Sequence, residues 1–278
     1  MTIGEALHTV RNELYLTQEQ MCAGVVSRSF YAKVESGKNS ISADKLAKIL
    51  FEHEIDIPYF YQLLQKTYTS KQKAHEILLN QNMEQAFNSG DITQIEKCYH
   101  QILAHSQSRI LKLRAMIAVA NIKDELDLID PQIKHELFVE FDEGKNWMTR
   151  PELLRLFTNT MPLWDQESLD FFIGRLLSKA KKDPHISELQ QQRYLRIFEN
   201  YLAVCYKRST QNKSIVVARV KQIIDYIMTV SPNPQLLIYK VAAVYLKELL
   251  SGNKEETQKI KNELEKYGYH NIVKTWPQ

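Results

Sequence analysis

Glycine and proline are scarce in this chain, with eight of each among 278 residues. Turns between β-strands depend on these residues, because glycine tolerates positive φ and proline presets the φ of a turn. The chain therefore has few residues that form hairpin turns, whereas apolar residues at helical spacing recur in segment after segment. This composition predicts an all-α protein.

Cysteine is also scarce, and the three cysteines, Cys22, Cys98 and Cys205, lie far apart. Their odd number and wide spacing fit neither a disulfide framework nor a zinc site, so we predict no metal and a reducing compartment. Long apolar runs are missing as well, since no segment approaches the ~18 uninterrupted apolar residues that a membrane helix needs. We expect a cytoplasmic protein that makes no contact with a membrane.

Motifs that carry catalysis are not found. The sequence has no glycine-rich phosphate loop, no HExxH motif, no nucleophile elbow and no cluster of cysteine and histidine at metal-binding spacing. Its net charge is only +3, which excludes a polycationic coat for nucleic acid or membranes. We predict that the protein is not an enzyme and needs no cofactor.

The N-terminal region has the spacing of a helix-turn-helix motif. Thr17 can cap the start of a helix, and Gln20 is placed to complete a capping box with it. Gly24 lies where the end of that helix needs a residue tolerant of positive φ, and Ser27 can cap the next helix after a turn of about three residues. The pattern predicts a second helix that enters the major groove of DNA.

This recognition helix is predicted to end at Gly37. Phe30 and Val34 are four residues apart and share a face that we expect to pack inward. The side chains expected on the remaining surface are Arg28, Ser29, Tyr31 and Lys33. A further helix that begins at Ser42 would close a small core formed by Leu46, Ile49, Leu50, Ile3, Leu7 and Leu14, which gives five helices over about residues 2–65.

Positive charge is concentrated around this helix. Residues 25–50 contain five basic and two acidic residues, a local charge of +3. One such module neutralises few phosphates, so the modest patch predicts that two copies bind DNA together.

From about residue 70 onward, we predict roughly ten helices with short connections, so that neighbouring helices pack antiparallel. The segments around 86–99 and 239–267 share the rhythm of small residue, turn and aromatic residue that is typical of a tetratricopeptide unit. A helical bundle without repeats remains an alternative. The predicted helices cover residues 70–88, 91–105, 108–126, 131–143, 150–161, 166–181, 187–207, 212–230, 234–250, 254–267 and 269–274.

The stretch Leu16-Thr17-Gln18 through Ser27-Arg28-Ser29 to Glu35-Ser36-Gly37-Lys38 resembles the Xre, or phage-repressor, type of DNA-binding domain. The resemblance implies that Gln18 contacts phosphate and that the first exposed residues of the recognition helix contact bases. It also implies an internal ion pair between Arg11 and Glu35, although a surface Arg11 on phosphate remains an alternative. The candidate DNA-binding residues are Gln18, Ser27, Arg28, Ser29, Tyr31, Lys33, Lys38 and Asn39.

Such a domain followed by a helical repeat that contains Trp147, Glu152-Leu153, Leu156-Phe157 and Asn159 resembles the Rgg/GadR/MutR regulators over essentially the full chain. The resemblance implies a five-helix Xre-type domain over residues 1–66 and a tetratricopeptide-like α-solenoid over residues 67–278. It further implies a homodimer that binds an operator in double-stranded DNA. The repeat domain would bind a short hydrophobic peptide.

Polar residues on two predicted helices are candidates for holding that peptide. An asparagine can bond both polar groups of a peptide backbone, and an arginine can hold a carboxylate with two hydrogen bonds. The candidates are Arg155, Asn159, Arg193, Arg196 and Asn200. Simple solvated helix surface is the competing interpretation, and Leu156, Phe157 and Ile197 are either apolar pocket walls or core.

The helix-turn-helix pattern predicts a DNA-binding regulator of transcription, and the resemblance implies that a hydrophobic signalling peptide controls it in quorum sensing. The alternative is a helical-repeat adaptor or regulator that responds to a protein partner or another small ligand.

Overall fold

The computed structural model describes residues 1–142, 146–183, 186–211, 217–230 and 233–277. Within these ranges the chain forms sixteen α-helices and no β-strand, so the all-α prediction is confirmed. The chain divides into two compact units, Met1–Gln85 and Ala86–Gln278. The boundary expected between residues 66 and 67 stays a prediction, because compactness does not test where the DNA-binding domain ends.

The first unit contains the five predicted helices. Thr2 and Thr17 each complete a capping box at a helix start, and Ser27, Ser42 and Asp56 cap the others with their side-chain oxygens. The helices are α1 (Ile3–Glu13), α2 (Gln18–Cys22), α3 (Arg28–Glu35), α4 (Ala43–Glu52) and α5 (Ile57–Tyr68).

One apolar core holds these helices together. Most of the predicted core residues are buried in it, namely Leu7, Leu46, Ile49 and Leu50, and Ile3 packs against it. The prediction was wrong for Leu14, which is 42% exposed. Leu14 caps the end of α1, and the chain turns at Tyr15 with φ of 55°, so the periodicity of α1 no longer governs where Leu14 points.

Gly4 explains how closely α1 and α3 approach. A Cβ atom at this position would lie 2.0 Å from the carbonyl oxygen of Val34. That distance is far inside van der Waals contact, so only glycine fits here without moving one of the two helices.

The helices that follow agree with the predicted ones within a few residues, except that α8 ends at Ile122 instead of near residue 126. There Asp124 adopts a φ of 59°, which breaks the helix. Parts of the predicted helices at residues 143 and 212–216, and the predicted breaks at residues 184 and 231–232, lie outside the described residues. The observed helices are α6 (Lys71–Ser89), α7 (Ile92–His105), α8 (Arg109–Ile122), α9 (Pro131–Asp142), α10 (Pro151–Thr160), α11 (Gln166–Lys182), α12 (Glu188–Thr210), α13 (Val217–Thr229), α14 (Leu237–Leu250), α15 (Lys254–Lys266) and α16 (His270–Val273).

Four helices of the second unit form one continuous layer, in which α8 packs on α10, α10 on α12 and α12 on α14. Other helices pack on members of this layer: α7 on α8, α11 on α12, and α13 and α15 on α14. Repeated pairing between neighbours is how a helical repeat buries its core. It confirms the tetratricopeptide-like array in place of the bundle without repeats.

Aromatic rings fill the centre of this array. Trp147 is fully buried, with its ring centroid 4.8 Å from that of Phe157 and 5.4 Å from that of Phe141. Such tilted and edge-to-face contacts stabilise a core beyond the burial of their area. Leu156, Phe157 and Ile197 are all at most 2% exposed, so they belong to the core. None of the described helices is both long and apolar enough to cross a membrane.

Candidate DNA interface and candidate peptide-binding face

The turn between α2 and α3 has the predicted geometry. The Thr17 hydroxyl accepts a hydrogen bond from the backbone N–H of Gln20 at 3.2 Å, and the Gln20 side chain accepts one from the N–H of Thr17 at 2.9 Å. Ala23 and Gly24 then take the left-handed conformation, with φ of 49° and 71°. This pair reverses the chain direction, and Ser27 starts α3 by accepting from the N–H of Phe30 at 3.3 Å.

The exposed surface of α3 and the loop after it carries most of the predicted DNA-binding residues. Six of the eight candidates are exposed, namely Ser27, Arg28, Ser29, Lys33, Lys38 and Asn39. Within the described part of the chain, the side chains of Arg28, Lys33 and Lys38 form no ion pair. Their cationic groups therefore face solvent and are available to phosphates and base edges.

The predicted base contact of Tyr31 was wrong. Its side chain is fully buried in the core of the first unit, so it cannot contact bases. The buried face of α3 is centred on Tyr31 and Val34, while Phe30 is only half-buried and has the Lys45 ammonium 5.2 Å from its ring centroid. Burial, together with the nearby Glu35 carboxylate, raises the pKa of the Tyr31 phenol above its ordinary value.

Behind the exposed face lies the ion pair that the resemblance implied. Arg11 donates from Nε to Glu35 Oε1 at 2.7 Å and from a terminal nitrogen to Oε2 at 3.3 Å. A further guanidinium nitrogen donates to the carbonyl of Leu16 at 2.9 Å. Both side chains are largely buried, with 13% and 7% exposed. Arg11 therefore joins α1 to α3 and to the start of the motif, which favours the internal role over a phosphate contact.

Gln18 completes this cluster, because its side-chain amide donates to Glu35 Oε2 at 2.8 Å. Burial alone would raise the pKa of Glu35, but the hydrogen bonds from Arg11 and Gln18 outweigh it and lower that pKa below its ordinary value. Gln18 is half-buried and one of its amide hydrogens is already used, so its phosphate contact stays a prediction.

The candidate peptide-binding residues lie on two helices that pack against each other, α10 and α12. Arg155 and Arg196 are exposed, and Asn159, Arg193 and Asn200 are half-buried. The last three take part in hydrogen bonds of the protein itself. Arg114 on α8 points Nε towards Asn159 Oδ1 at 3.5 Å, Arg193 donates to Gln190 at 3.2 Å, and Asn200 donates to the carbonyl of Arg196 at 2.9 Å.

Sequence reasoning missed Arg114. It brings a third helix of the layer to the candidate face, because α8 packs on α10. A signal was present, since Arg114 interrupts the apolar sequence of α8 beside the buried Leu111, Ala115 and Ala118. A half-buried arginine in such a helix is costly unless its head group meets a polar partner.

Sequence reasoning also missed a polar contact near the C-terminus. Trp276 is 6% exposed and stacks on Tyr245 of α14 with the ring centroids 4.8 Å apart. Its indole also donates to Glu199 on α12, directly beside Asn200. Burial of Glu199 raises its pKa to about 7, and the charge of Arg196 opposes this only in part. The contact joins residues far apart in sequence, so no local sequence pattern could predict it.

These observations define a class of protein: a helix-turn-helix domain with a cationic recognition surface, connected to a helical-repeat array. Comparison with known proteins agrees for the first part, because residues 7–50 match the helix-turn-helix family. That span runs from α1 to α4 and contains the whole α2–turn–α3 motif. No curated protein sequence matches the chain.

Solved structures match the chain over nearly its full length. A candidate transcriptional regulator from Listeria monocytogenes EGD-e has a TM-score of 0.69 at 17% identity, with 98% of this chain and 93% of that chain covered. A variant of the SHP pheromone receptor Rgg2 of Streptococcus dysgalactiae has a TM-score of 0.67 at 13% identity, with 99% and 98% covered. A bacterial peptide pheromone receptor complex has a TM-score of 0.59 at 16% identity, with 98% and 95% covered. The protein therefore has the fold of these three solved structures.

Proposed function

We propose that the protein is a transcription regulator that binds a specific DNA operator as a homodimer and is controlled by a short hydrophobic peptide bound to its helical array. The observation that carries the DNA-binding half is the exposed cationic surface of α3, held in place by the largely buried Arg11–Glu35 pair. We further propose that it acts in the cytoplasm, without a catalytic step and without a cofactor.

Two copies would place their recognition helices in successive major grooves, about 34 Å or a multiple of it apart. Lys38 would position the domain on phosphate, together with Gln18. Arg28 and Ser29 would contact base edges, because they stand exposed in the first turn of α3. An arginine with two hydrogen bonds to guanine contributes roughly 1–3 kcal/mol of discrimination.

The test of the DNA-binding half is a gel-shift titration with the DNA upstream of neighbouring genes. Arg28→Ala should lower affinity for the preferred sequence by about 10- to 100-fold and flatten the preference between sequences. The matched control is Lys66→Ala, which removes an exposed positive charge from α5 and should leave that preference unchanged. An Arg28→Ala variant with undiminished sequence preference would exclude Arg28 from base contact.

The peptide would bind along α8, α10 and α12, whose candidate residues are exposed or half-buried on adjacent helices of one layer. The support for this half is that layer, together with the solved pheromone receptors that share the fold. A peptide acts only if it binds one arrangement of the protein more tightly than another, since equal affinity shifts no population.

Calorimetric titration with short apolar peptides encoded near the gene tests this half. We expect binding with a negative heat-capacity change, because apolar surface is buried. Asn200→Ala should weaken it by about 5- to 10-fold, because a backbone hydrogen bond is lost, and Asn262→Ala on α15 is the control. Absence of binding to any such peptide would favour the adaptor that responds to a protein partner.

A further inference from the structure

The second unit contains a cavity of about 260 Å³ between α8, α9 and α10. Its volume lies just below the range of about 300–1,000 Å³ that accommodates drug-sized ligands, so it suits a smaller molecule. Two aliphatic side chains from each helix line the cavity, namely Ile110, Leu113, Ile133, Leu137, Leu153 and Leu156. Leu137, Leu153 and Leu156 also belong to the buried core, so the cavity lies against the edge of that core.

Charged residues of both signs line the same cavity, Arg109, Glu136, Glu140 and Arg150. Arg109 forms an ion pair with Glu136 that joins α8 to α9. Arg150 pairs with Glu152 at 2.8 Å, and both side chains of that pair are about half exposed. Exposed ion pairs of this kind are weak, and each guanidinium has five donors, so both arginines retain donors for a ligand.

Glu140 differs from the other charged residues of the cavity. Its carboxylate has no ion-pair partner among the residues that the structure describes. The four charges sum to zero, so the cavity favours a ligand with no net charge. It offers cationic donors for a carboxylate and an acceptor for an ammonium group at the same time.

We propose that this cavity binds a free amino acid with a branched aliphatic side chain. The side chain fills the apolar interior, the carboxylate accepts from Arg109 and Arg150, and the ammonium donates to Glu140. The six aliphatic side chains favour an apolar ligand side chain over a polar one, and the neutral sum of the four charges disfavours acidic and basic amino acids.

The cavity is separate from the candidate peptide-binding face. At 100° per residue, Arg155 lies about 160° around α10 from the mean direction of Arg150, Leu153 and Leu156. Arg155 therefore lies on the side of α10 that faces away from the cavity. An amino acid bound here would link α9 to α8 and α10 without occupying the surface that carries Arg155.

The experiment is calorimetric titration of the full chain with L-leucine, L-isoleucine and L-valine. We expect saturable binding of one molecule per chain, with Kd on the order of 0.1–1 mM for a ligand of this size. N-acetyl-L-leucine lacks the ammonium and L-leucinamide lacks the carboxylate, so each should bind at least about tenfold more weakly. Glycine, L-glutamate and L-lysine should not bind measurably.

Two variants locate the site. Glu140→Gln preserves the shape of the side chain and should lower the affinity for L-leucine by about tenfold, because the contact with the ammonium group is lost. The affinity for N-acetyl-L-leucine, which has no ammonium group, should stay unchanged. Ile133→Trp should fill the cavity and abolish binding. Glu255→Gln, an exposed substitution on α15, is the matched control.

The proposal is overturned if no branched aliphatic amino acid binds below about 10 mM. It is also overturned if L-leucine and its two blocked analogues bind alike, or if Glu140→Gln behaves as Glu255→Gln does. If Ile133→Trp fails to fold, the binding affinities of Glu140→Gln still test the proposal. The result is independent of the proposed function, since it requires neither DNA nor a peptide.

Discussion

The two candidate binding surfaces differ in how their polar groups are used before any partner arrives. On α3, the cationic side chains face solvent and form no ion pair with the part of the chain that the structure describes, and the polar network of Arg11, Gln18 and Glu35 lies behind them. On α10 and α12, three of the five candidates already form hydrogen bonds within the protein. The candidate DNA surface is therefore preorganised, whereas a peptide would have to replace contacts that the array makes with itself.

Two glutamates express the same difference in their protonation. Glu35 in the first unit is held charged by Arg11 and Gln18, and its pKa is lowered. Burial of Glu199 in the array disfavours its charged form, which raises its pKa to about 7. One unit thus depends on a charged glutamate, and the other tolerates a neutral one near physiological pH.

The largest expected effect comes from breaking the pair that supports the recognition helix. Glu35→Ala leaves the largely buried Arg11 without its partner and should lower the free energy of unfolding by about 2–4 kcal/mol, as urea denaturation would measure. Glu263→Ala removes an exposed partner of Lys266 in the other unit and should cost less than about 1 kcal/mol.

The pH dependence of the first effect follows from its sign. The pKa of Glu35 is lower in the folded state, so its stabilisation is present above the unfolded value of 4.5 and is lost as the pH falls through the folded value. The contrast between the units would fail if Glu35→Ala and Glu263→Ala cost the same, or if Glu35→Ala left stability at acid pH and at pH 7 equally changed.

A smaller effect is expected at Glu199. Its pKa is higher in the folded state, so the native protein binds the proton more tightly, and stability falls as the pH rises from about 4.5 to about 7. Because Glu199 is half-buried, we expect roughly 1–2 kcal/mol over this range. Thermal melts at several pH values should show that stability no longer falls over this range in Glu199→Gln. An unchanged fall in the variant would mean that another group causes the pH dependence.

The smallest effect concerns the residue whose role was predicted wrongly. Tyr31→Phe keeps the buried ring and removes a hydroxyl that makes no hydrogen bond to the residues that the structure describes, so DNA affinity should change less than about twofold. A loss of sequence preference in a stable Tyr31→Phe variant would restore Tyr31 to the DNA surface.

Much of the motif was predictable because its signals are local. A cap and its acceptor lie three residues apart, and the left-handed turn at Ala23 and Gly24 depends on residues beside it. The Arg11–Glu35 pair was predicted from the family resemblance alone, because its two residues are 24 positions apart and no local sequence pattern connects them. The neighbours of the candidate peptide face were only partly predicted, since the packing of α8 on α10 brings Arg114 beside Asn159.

The sequence by itself determined where the helices are, how most of them are capped and which residues could enter a major groove, because these depend on neighbours within one or two turns. The tertiary structure decided which of two adjacent aromatic residues of α3 turns inward. Helical spacing allows either Phe30 or Tyr31 to share the buried face with Val34, and in the folded unit Tyr31 lies in the core while Phe30 is half-buried. It also decided the protonation of Glu199 and the cavity between α8, α9 and α10, because burial and enclosed volume arise only when distant segments pack together.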